Sequence, residues 1–304
     1  MMAKSTRLER LVEMVRERGP KRVVAIWPHE EEMLAVLDEA TGLGLANVTV
    51  AGQQAKVSEL AKKAGLRHEG FEFVEADDVR SAISASVGRA REGQADVLMN
   101  GLAAPDDVFR AMLDRANGLR GLGRLSGVSV LDIPRYDRWV LIGDPALAIA
   151  PNLDEKAAIV QNTVDVAHAL GVEKPRVALL AATELVNAKS PASLHAAELS
   201  KMAQRGQIKG CVIDGPLAMD NAVSPESAAI KGIVSDVAGW ADVLIGPDLE
   251  TSNLLARSAG QLAGITTATV VVGGRCPVAM PSRSDGAESR FASLVLALWL
   301  AGQG

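Results

Sequence analysis

The chain has 304 residues, of which 48% are hydrophobic and 23% charged. It is therefore long enough for one large domain or two ordinary ones and too apolar for extended disorder. The formal net charge is −5, with 32 basic residues dispersed among 37 acidic ones, a balance that argues against nucleic acid as a partner. The two cysteines, Cys211 and Cys276, have the spacing of neither a disulfide framework nor a zinc site. These features favour a small-molecule role in a reducing compartment.

Residues 1–18 carry a charge every few positions and contain no apolar stretch of the secretory-signal kind. No run in the chain approaches the roughly 20 apolar residues that a membrane span needs. We therefore expect a cytoplasmic protein without a membrane partner. Aromatic residues make up only 3% of the chain, so the core must consist of Ala, Val, Leu and Ile, which suits helices packed on a parallel sheet.

From Val23 onward, short runs of Val, Ile and Leu alternate with longer Ala-rich amphipathic stretches, a pattern typical of repeated βα units. The pattern predicts strands at 22–27, 47–51, 71–75, 95–99, 127–132, 138–143, 176–181, 209–214, 241–245 and 267–273. It predicts helices near 6–18, 30–41, 53–64, 77–92, 105–116, 154–170, 191–205, 224–231, 251–262 and 286–301. Strands 127–132 and 138–143 have no helix between them, which indicates a domain seam near the middle of the chain.

The last predicted helix has its apolar residues at the spacing of a single buried face. These residues are Phe291, Leu294, Val295, Leu298 and Trp299. Asp285 precedes the helix and is a candidate for its N-terminal cap.

Loops at the carboxyl ends of parallel strands are where an α/β protein usually binds its ligand. The strand at 209–214 runs into Asp214-Gly215-Pro216, and the Gly-Pro pair predicts a tight turn with Asp214 and Asp220 near its ends. The turn preferences leave a plain capped turn and a site loop equally open.

Two later loops place polar groups at the start of a helix, whose free N–H groups can hold an anion. In GPDLETSN at 246–253, capping accounts for Ser252 or Thr251 but not for the whole cluster. In the segment 273–288, Ser282 and Arg283 bring a hydroxyl and a guanidinium beside a helix N-terminus, a geometry suited to phosphate oxygens. A lone Ser-Arg pair, however, is most often a pair of surface residues without a binding role.

The order of four segments is more specific than any one of them. These are VAHALG at 166–171, SKMAQRGQIKGCVIDGPLAMDNAVS at 200–224, KGIVSDVAGWADVLIGPDLETSN at 231–253 and PSRSDGAES at 281–289. Together they resemble the phosphate acetyltransferase and phosphate butyryltransferase family, with the butyryltransferase branch the closer. The resemblance covers residues 95–304 well and the first 90 residues loosely.

The resemblance implies an isocitrate-dehydrogenase-like α/β fold with mostly parallel sheets in two domains and an active site in the cleft between them. We expect a first domain of residues 1–140 plus 281–304 and a second of 141–280. The implied enzyme is an acyltransferase that moves an acyl group between coenzyme A and orthophosphate. These two are substrates, and neither a cofactor nor a metal is needed. A homodimer or a higher homo-oligomer is implied as well.

The resemblance also assigns candidate site residues. Ser282 and Arg283 bind the phosphate or acyl phosphate. The further substrate-binding candidates are Arg110 in DVFRAML, Asp144, Asp220, Asn253 of the ExxN element, and Arg257 four positions after it. Relatives often have lysine at the position of Arg257, so the charge is kept while the fork geometry differs.

Attack of the coenzyme A thiol on an acyl phosphate needs a base, because the thiolate is the nucleophile. In phosphate acetyltransferases this base is an aspartate seven residues after the serine, a position that Ser289 holds here. Glu288 and Asp285 are the nearest carboxylates. We favour Glu288, because Asp285 has an alternative role as a helix cap.

Two loops depart from the relatives. Where butyryltransferases have MKGL and a threonine-bearing loop, this chain has MNGLAAP at 99–105, and the segment 144–151 replaces a polar tail with apolar residues. A lysine is thus replaced by Asn100, and hydroxyls are replaced by apolar groups. We expect a less polar cleft, and with it either a preference for butyryl or a similar short chain or weakened catalysis.

Two alternatives stay open. One is a relative that binds coenzyme A or acyl phosphate without turnover. The other is a metal-dependent decarboxylating dehydrogenase of the same fold, although Gly42-Leu43-Gly44 and Gly121-Leu122-Gly123 fall short of a dinucleotide fingerprint. The four histidines lack partner spacing, and we expect them to be structural or solvated.

Overall fold

A computed structural model describes residues 7–119, 121 and 123–302. The elements, in chain order, are α1 (Arg7–Glu17), β1 (Lys21–Ile26), α2 (Glu31–Gly42), β2 (Ala46–Gly52), α3 (Gln54–Ala64), β3 (Glu72–Glu75), α4 (Val79–Arg91), β4 (Val97–Asn100), α5 (Pro105–Leu113), β5 (Ser126–Asp132), β6 (Val140–Gly143), α6 (Leu153–Ala169), β7 (Arg176–Leu180), α7 (Pro191–Gln204), β8 (Val212–Leu217), α8 (Met219–Val223), α9 (Pro225–Ile230), β9 (Val243–Ile245), α10 (Leu249–Ala263), β10 (Thr266–Val272), β11 (Val278–Ala279) and α11 (Ala287–Leu300). Every predicted strand and helix has a counterpart, whereas β11 and α8 have none among the predictions.

The chain forms two compact units. Unit 1 consists of Met1–Leu125 and Thr266–Gly304, and unit 2 consists of Ser126–Ile265. Both boundaries lie 15 residues before the expected ones at 140 and 280. β5 belongs to unit 2 because it pairs with β6, and β10 belongs to unit 1 because it pairs with β11 and bonds to α11.

The strand order within unit 1 is β3-β2-β1-β4-β11-β10. β1 pairs in parallel with β2 and β4, and β4 pairs in parallel with β11, while β10 runs antiparallel to β11. The central strand is buried from Val23 to Ile26, as expected for a parallel sheet covered by helices on both faces. The C-terminal ends of β1, β4 and β11 therefore lie along one edge, called here the C-terminal edge of unit 1.

The strand order within unit 2 is β5-β6-β9-β7-β8. β6, β9, β7 and β8 are parallel to one another, and β5 is antiparallel to β6. This antiparallel pair explains the two consecutive strands that the sequence predicts without a helix between them. Unit 2 has its own apolar core, which includes Ile142, Ala178 and Leu244 from three neighbouring strands. The mixed α/β fold with mostly parallel strands, expected from the sequence, is confirmed.

Helix α11 differs from its prediction. The sequence predicts one buried face, but every residue from Arg290 to Trp299 is buried. The helix packs against α1, α2 and β10, so it has neighbours on more than one side. At its C-terminal end the Arg18 guanidinium lies 3.5 Å from the centre of the Trp299 ring and donates a hydrogen bond to the Trp299 carbonyl.

The Gly215-Pro216 pair also differs from its prediction. It does not form a tight turn after a strand, because β8 runs from Val212 to Leu217 and includes both residues. The register between β7 and β8 shifts at this point, and the irregularity lets the strand continue through the pair. Asp214 therefore lies within β8, where it accepts a hydrogen bond from the Gly215 N–H.

Candidate functional site

The C-terminal edge of unit 1 brings three loops together. Ile26 of β1 pairs with Asn100 of β4, and Ala279 of β11 pairs with Met99 of β4. Adjacent parallel strands that end in register place the loops after them side by side. The loops after β1, β4 and β11 are therefore neighbours, and the last of them contains Ser282 and Arg283.

The loop after β11 is a closed turn. The Ser282 N–H donates to Asp285 Oδ2 at 2.8 Å, and the Asp285 N–H donates to the Ser282 carbonyl at 3.0 Å. The Ser282 and Ser284 hydroxyl oxygens are 3.0 Å apart. Arg283 lies at the exposed tip of this turn.

Asp285 does not cap α11. The N-cap is Gly286, which has no capping side chain, and the Asp285 carboxylate turns back to Ser282 instead. The cap expected for Asp285 is therefore wrong, and the residue orders the Ser-Arg loop.

Glu288 and Ser289, at the start of α11, accept hydrogen bonds from the start of β10. The Thr266 hydroxyl donates to Glu288 Oε1 at 2.8 Å, and the Thr267 N–H donates to Ser289 Oγ at 3.1 Å. Because β10 is antiparallel to β11, its first residue lies at the edge where β11 ends. Glu288 is exposed there, on the same edge as Ser282.

Asn100 and part of its loop are buried, although the sequence predicts that this loop lines a cleft. The Asn100 amide nitrogen donates to the Ala103 carbonyl at 3.1 Å, and both residues are buried. Asn100 Oδ1 is buried without a hydrogen-bond partner among the described residues. Leu102, Ala104 and Pro105 are half-buried, so they are more accessible than Asn100 and Ala103.

Arg110 lies on α5, which follows the same loop. Its Nη1 forms an ion pair with Asp107 Oδ1 at 2.7 Å, and its side chain is 75% exposed. This contact joins residues one helical turn apart. The structure thus places Arg110 on a solvated helix face with its charge already paired.

In unit 2, Asp144 follows β6 with a left-handed backbone, at a φ of 41°. Its carboxylate accepts hydrogen bonds from the N–H groups of Gly127, Leu147 and Ala148, at 2.9, 3.0 and 2.9 Å. A buried carboxylate satisfied by three backbone donors organises the loop around it. Both Asp144 carboxylate oxygens thus accept backbone N–H groups of the loop.

Asn253 joins two loops of unit 2. Its Nδ2 donates to the Pro145 carbonyl at 2.8 Å, and the Leu249 N–H donates to the Ile149 carbonyl at 3.1 Å. The loops after β6 and β9 are thereby fastened together, with Asp248 capping α10. Arg257 lies one helical turn after Asn253 and is exposed.

Asp220, on α8 after β8, forms an ion pair with Lys231 at 3.0 Å. Lys231 is also 3.6 Å from Glu184, and Asn221 Nδ2 donates to the same Glu184 carboxylate. The Lys231 ammonium lowers the pKa of Asp220 by hydrogen bonding. Asp220 is therefore the ionised member of a surface ion-pair cluster.

The structure contains two buried cationic side chains that the sequence motifs do not predict, Lys156 and Arg290. The Lys156 ammonium near the start of α6 is 3.0 Å from His195 Nδ1 near the start of α7. Desolvation lowers the pKa of Lys156 against the attraction of Asp248, and burial with the nearby Lys156 charge lowers the pKa of His195. The second cation is Arg290 on α11. Lys156 lies among the buried residues of α6, one turn before Ile159 and Val160, so the periodicity contains a signal for it, whereas Arg290 lies outside the predicted apolar face of α11.

The residues of the structure that can be described include no group of three or more His, Cys, Asp or Glu side chains placed to hold a metal ion. Within the same residues, no helix is long and apolar enough to cross a membrane.

Comparison with known proteins decides the family. The sequence profile described as phosphate acetyl/butaryl transferase matches residues 77–298. The chain belongs to this family. Within the family it is 37% identical over 292 residues to a phosphate butyryltransferase of Clostridium acetobutylicum, covering 96% of this chain and 97% of the relative. It is 38% identical over 295 residues to a phosphate acetyltransferase of Rhizobium meliloti, covering 97% and 93%. The membership expected from the motif order is confirmed, and the chain is an acyltransferase.

A solved structure of the family has the same fold. The branched-chain phosphotransacylase from Enterococcus faecalis V583 superimposes with a TM-score of 0.80 at 27% identity, over 92% of this chain and 99% of that one. The acyl groups named for these three relatives differ, so they leave the acyl specificity of this family member open.

Proposed function

We propose that this chain transfers a short acyl group, butyryl or a similar chain, between coenzyme A and orthophosphate. The proposal is carried by Arg283, which follows Ser282 in the turn, is exposed, and has no carboxylate partner within residues 7–119, 121 and 123–302. Other arginines of unit 1 are paired with carboxylates, namely Arg22, Arg67, Arg110 and Arg290. An unpaired cation next to a hydroxyl on an ordered turn suits a phosphate dianion.

The reaction balances without a further reactant. Toward acyl phosphate, a phosphate oxygen attacks the thioester carbonyl carbon, the carbon–sulfur bond breaks, and the coenzyme A thiolate leaves and takes a proton. In the reverse direction the thiol loses its proton and the thiolate attacks the acyl carbon, which releases phosphate. In both directions the Arg283 guanidinium offsets the phosphate charge, and the Ser282 hydroxyl donates a hydrogen bond to a phosphate oxygen.

Glu288 is our candidate for the group that accepts and returns the thiol proton. Its side chain is exposed, and one carboxylate oxygen accepts a hydrogen bond from the Thr266 hydroxyl. Asp285 is the second candidate, and its bond to the Ser282 N–H favours a supporting role. A general base must reach the proton that it takes, and of the two carboxylates Glu288 is the more accessible.

The remaining site assignments belong to the same proposal and rest on the resemblance. Its substrate-binding residues are Arg110, Asp144, Asp220, Asn253 and Arg257. The isocitrate-dehydrogenase-like arrangement with a catalytic cleft, the absence of a cofactor, a homodimer or higher homo-oligomer and a cytoplasmic location are further parts of it. Arg257 is the exposed cation on α10, and coenzyme A carries phosphates that need such a partner.

The test is release of free thiol when purified protein is mixed with butyryl-CoA or acetyl-CoA and phosphate, with a chelator in excess. Thiol release that needs phosphate and persists with chelator supports the proposal. Strict dependence on a divalent metal would favour the dehydrogenase alternative. Calorimetric binding of coenzyme A without any turnover would favour the non-catalytic alternative.

A further inference from the structure

Arg290 is a buried cation with an unusual set of partners. Its side chain is only 3% exposed, although it lies in the first turn of α11, next to the Ser-Arg loop. Nε donates to the Asp285 carbonyl at 2.8 Å, and Nη2 donates to the Arg283 carbonyl at 2.8 Å. One guanidinium thus bonds the backbone on both sides of Ser284.

The remaining nitrogen is anchored outside the loop. Nη1 donates to Glu30, and Nη2 lies 3.7 Å from Glu32. Glu30 is the N-cap residue of α2, yet its side chain makes no capping hydrogen bond. Its carboxylate accepts a hydrogen bond from Arg290 and none from the N–H groups at the start of its own helix.

We propose that Arg290 is the positioning residue of the phosphate-binding loop, and that it fixes the backbone carrying Ser282 and Arg283 for the reaction proposed above. This inference rests on the proposed function. A buried ion pair is weak evidence for stability, because apolar residues of similar volume often serve as well. What a planar guanidinium adds is the simultaneous orientation of two carbonyls and a carboxylate, which an apolar side chain or a point charge cannot provide.

Arg290 does not bind phosphate itself, because its guanidinium is enclosed and its donors already have protein acceptors. Its effect is indirect. With the Arg283 and Asp285 carbonyls held, the Asp285 carboxylate accepts the Ser282 N–H, and the turn that carries Ser282 and Arg283 is kept in one conformation. Displacement of such groups by about 1 Å costs on the order of 100-fold in rate.

The experiment compares Arg290→Lys with Arg18→Met in the full chain. Lysine keeps the charge near Glu30 but cannot span both carbonyls. Arg18 contacts the other end of the same helix, at Trp299, so its loss disturbs α11 without touching the loop. We measure kcat, KM for phosphate, KM for acyl-CoA and the midpoint of thermal unfolding, and we measure phosphate affinity by calorimetry.

For Arg290→Lys we expect KM and Kd for phosphate to rise about tenfold or more while KM for acyl-CoA stays near wild type. Arg18→Met should unfold at a lower temperature with unchanged phosphate affinity. A wild-type KM for phosphate in Arg290→Lys would overturn the inference, and so would a lower kcat with both KM values unchanged, which is the signature of fewer folded molecules.

A second variant covers the case in which Arg290→Lys does not fold. Glu30→Gln keeps the guanidinium but removes the charge that anchors Nη1, and KM for phosphate should then rise about threefold. An unchanged value would overturn the inference. Wild-type turnover tests the proposed function separately: an inactive wild type that binds phosphate more tightly than Arg290→Lys would refute the acyl transfer but keep the positioning role.

Discussion

Two arginines of unit 1 show how position decides what a charge can do. Arg110 forms an ion pair with Asp107 one helical turn away, whereas the Arg283 side chain contacts no carboxylate in the described part of the chain. Only an uncommitted cation can contribute fully to an incoming dianion. Of the two, Arg283 is therefore the one on which turnover should depend more strongly.

We expect Arg283→Ala to lower kcat/KM by a factor of about 10² to 10³, the loss that removal of one charge-assisted donor to a developing charge produces. Arg283→Lys should recover only part of it, because lysine lacks the bidentate fork. Arg80→Ala, a change at another exposed arginine of unit 1, is the matched control. Wild-type kinetics in Arg283→Ala would show that the Ser-Arg element does not bind phosphate in this chain.

His29 makes stability sensitive to acid. Its Nε2 accepts the Gln53 N–H at 3.2 Å, and its ring lies 3.9 Å from that of Trp27. Burial, with the nearby Lys56 charge, lowers the pKa of His29 from 6.5 to about 4 against the attraction of Glu75. The unfolded chain binds the proton near pH 6.5 and the folded chain does not, so stability falls as the pH drops from 6.5 toward 4.

The loss of unfolding free energy over that range should be on the order of 2 to 3 kcal/mol, since each unit of pKa corresponds to about 1.4 kcal/mol. The measurement is denaturant unfolding between pH 7.5 and 4.5. His29→Gln should flatten the acid side of the curve, whereas His168→Gln, at an exposed position, should leave it unchanged. An equal acid loss in wild type and His29→Gln would refute the assignment.

At the scale of elements, β1 and β4 approach each other closely where they end. A Cβ at Gly101 would lie 2.7 Å from the Ile26 and Trp27 carbonyl oxygens and 2.9 Å from Pro28 Cα. These are backbone atoms, so the contact cannot be relieved by a side-chain rotation. Trp27 itself has a φ of 50°, a conformation that bulky residues rarely adopt.

Gly101→Ala should therefore destabilise the protein by about 1 to 3 kcal/mol, as overpacking of a tight site does. It should also impair turnover, because the displaced β1 and β4 loops are neighbours of the Ser-Arg loop. Thermal unfolding and thiol-release assays measure the two effects. Gly70→Ala is the control, since a Cβ there meets no atom within 4 Å. Equal stability of the two variants would contradict the close approach.

The loop after β4 also bears on substrate choice. Asn100 and Ala103 are buried, whereas Leu102, Ala104 and Pro105 are half-buried and apolar, so a substrate that reached this loop would contact apolar groups. Each methylene buried in an apolar pocket is worth about 0.8 kcal/mol. We expect kcat/KM for butyryl-CoA to exceed that for acetyl-CoA by at least about tenfold, the ratio for one to two buried methylenes. A preference for acetyl-CoA would show that this loop does not line the acyl pocket.

The sequence predicts the elements of the fold well because their apolar periodicities are local. It does not predict β11, whose two residues carry no period, or the continuation of β8 through Gly215-Pro216. The motif order predicts the Ser-Arg loop. It does not predict the contact between Arg290 and Glu30, because these residues are 260 positions apart in the chain. Asp144 shows the same limit, since only the fold reveals that backbone N–H groups occupy its carboxylate.

At the scale of the molecule, unit 1 depends on both ends of the chain. Its sheet takes β10 and β11 from the C-terminal segment, and α11 adds ten consecutive buried residues. A chain ending at residue 265 should therefore lose hydrogen-exchange protection in β1 and β2 while β7 and β9 of unit 2 keep theirs. Unchanged protection of β1 in that fragment would contradict the dependence.

The discontinuity of unit 1 also sets an order of events on the ribosome. Unit 2 is a continuous stretch, so all of its residues are synthesised before Thr266 and the residues after it. Until those residues emerge, β4 of the nascent chain lacks its neighbour β11 and presents an apolar strand edge of the kind that recruits chaperones or self-associates. Unit 2, although it starts later in the sequence, can thus be completed before unit 1, and the Ser-Arg loop is synthesised after all of unit 2.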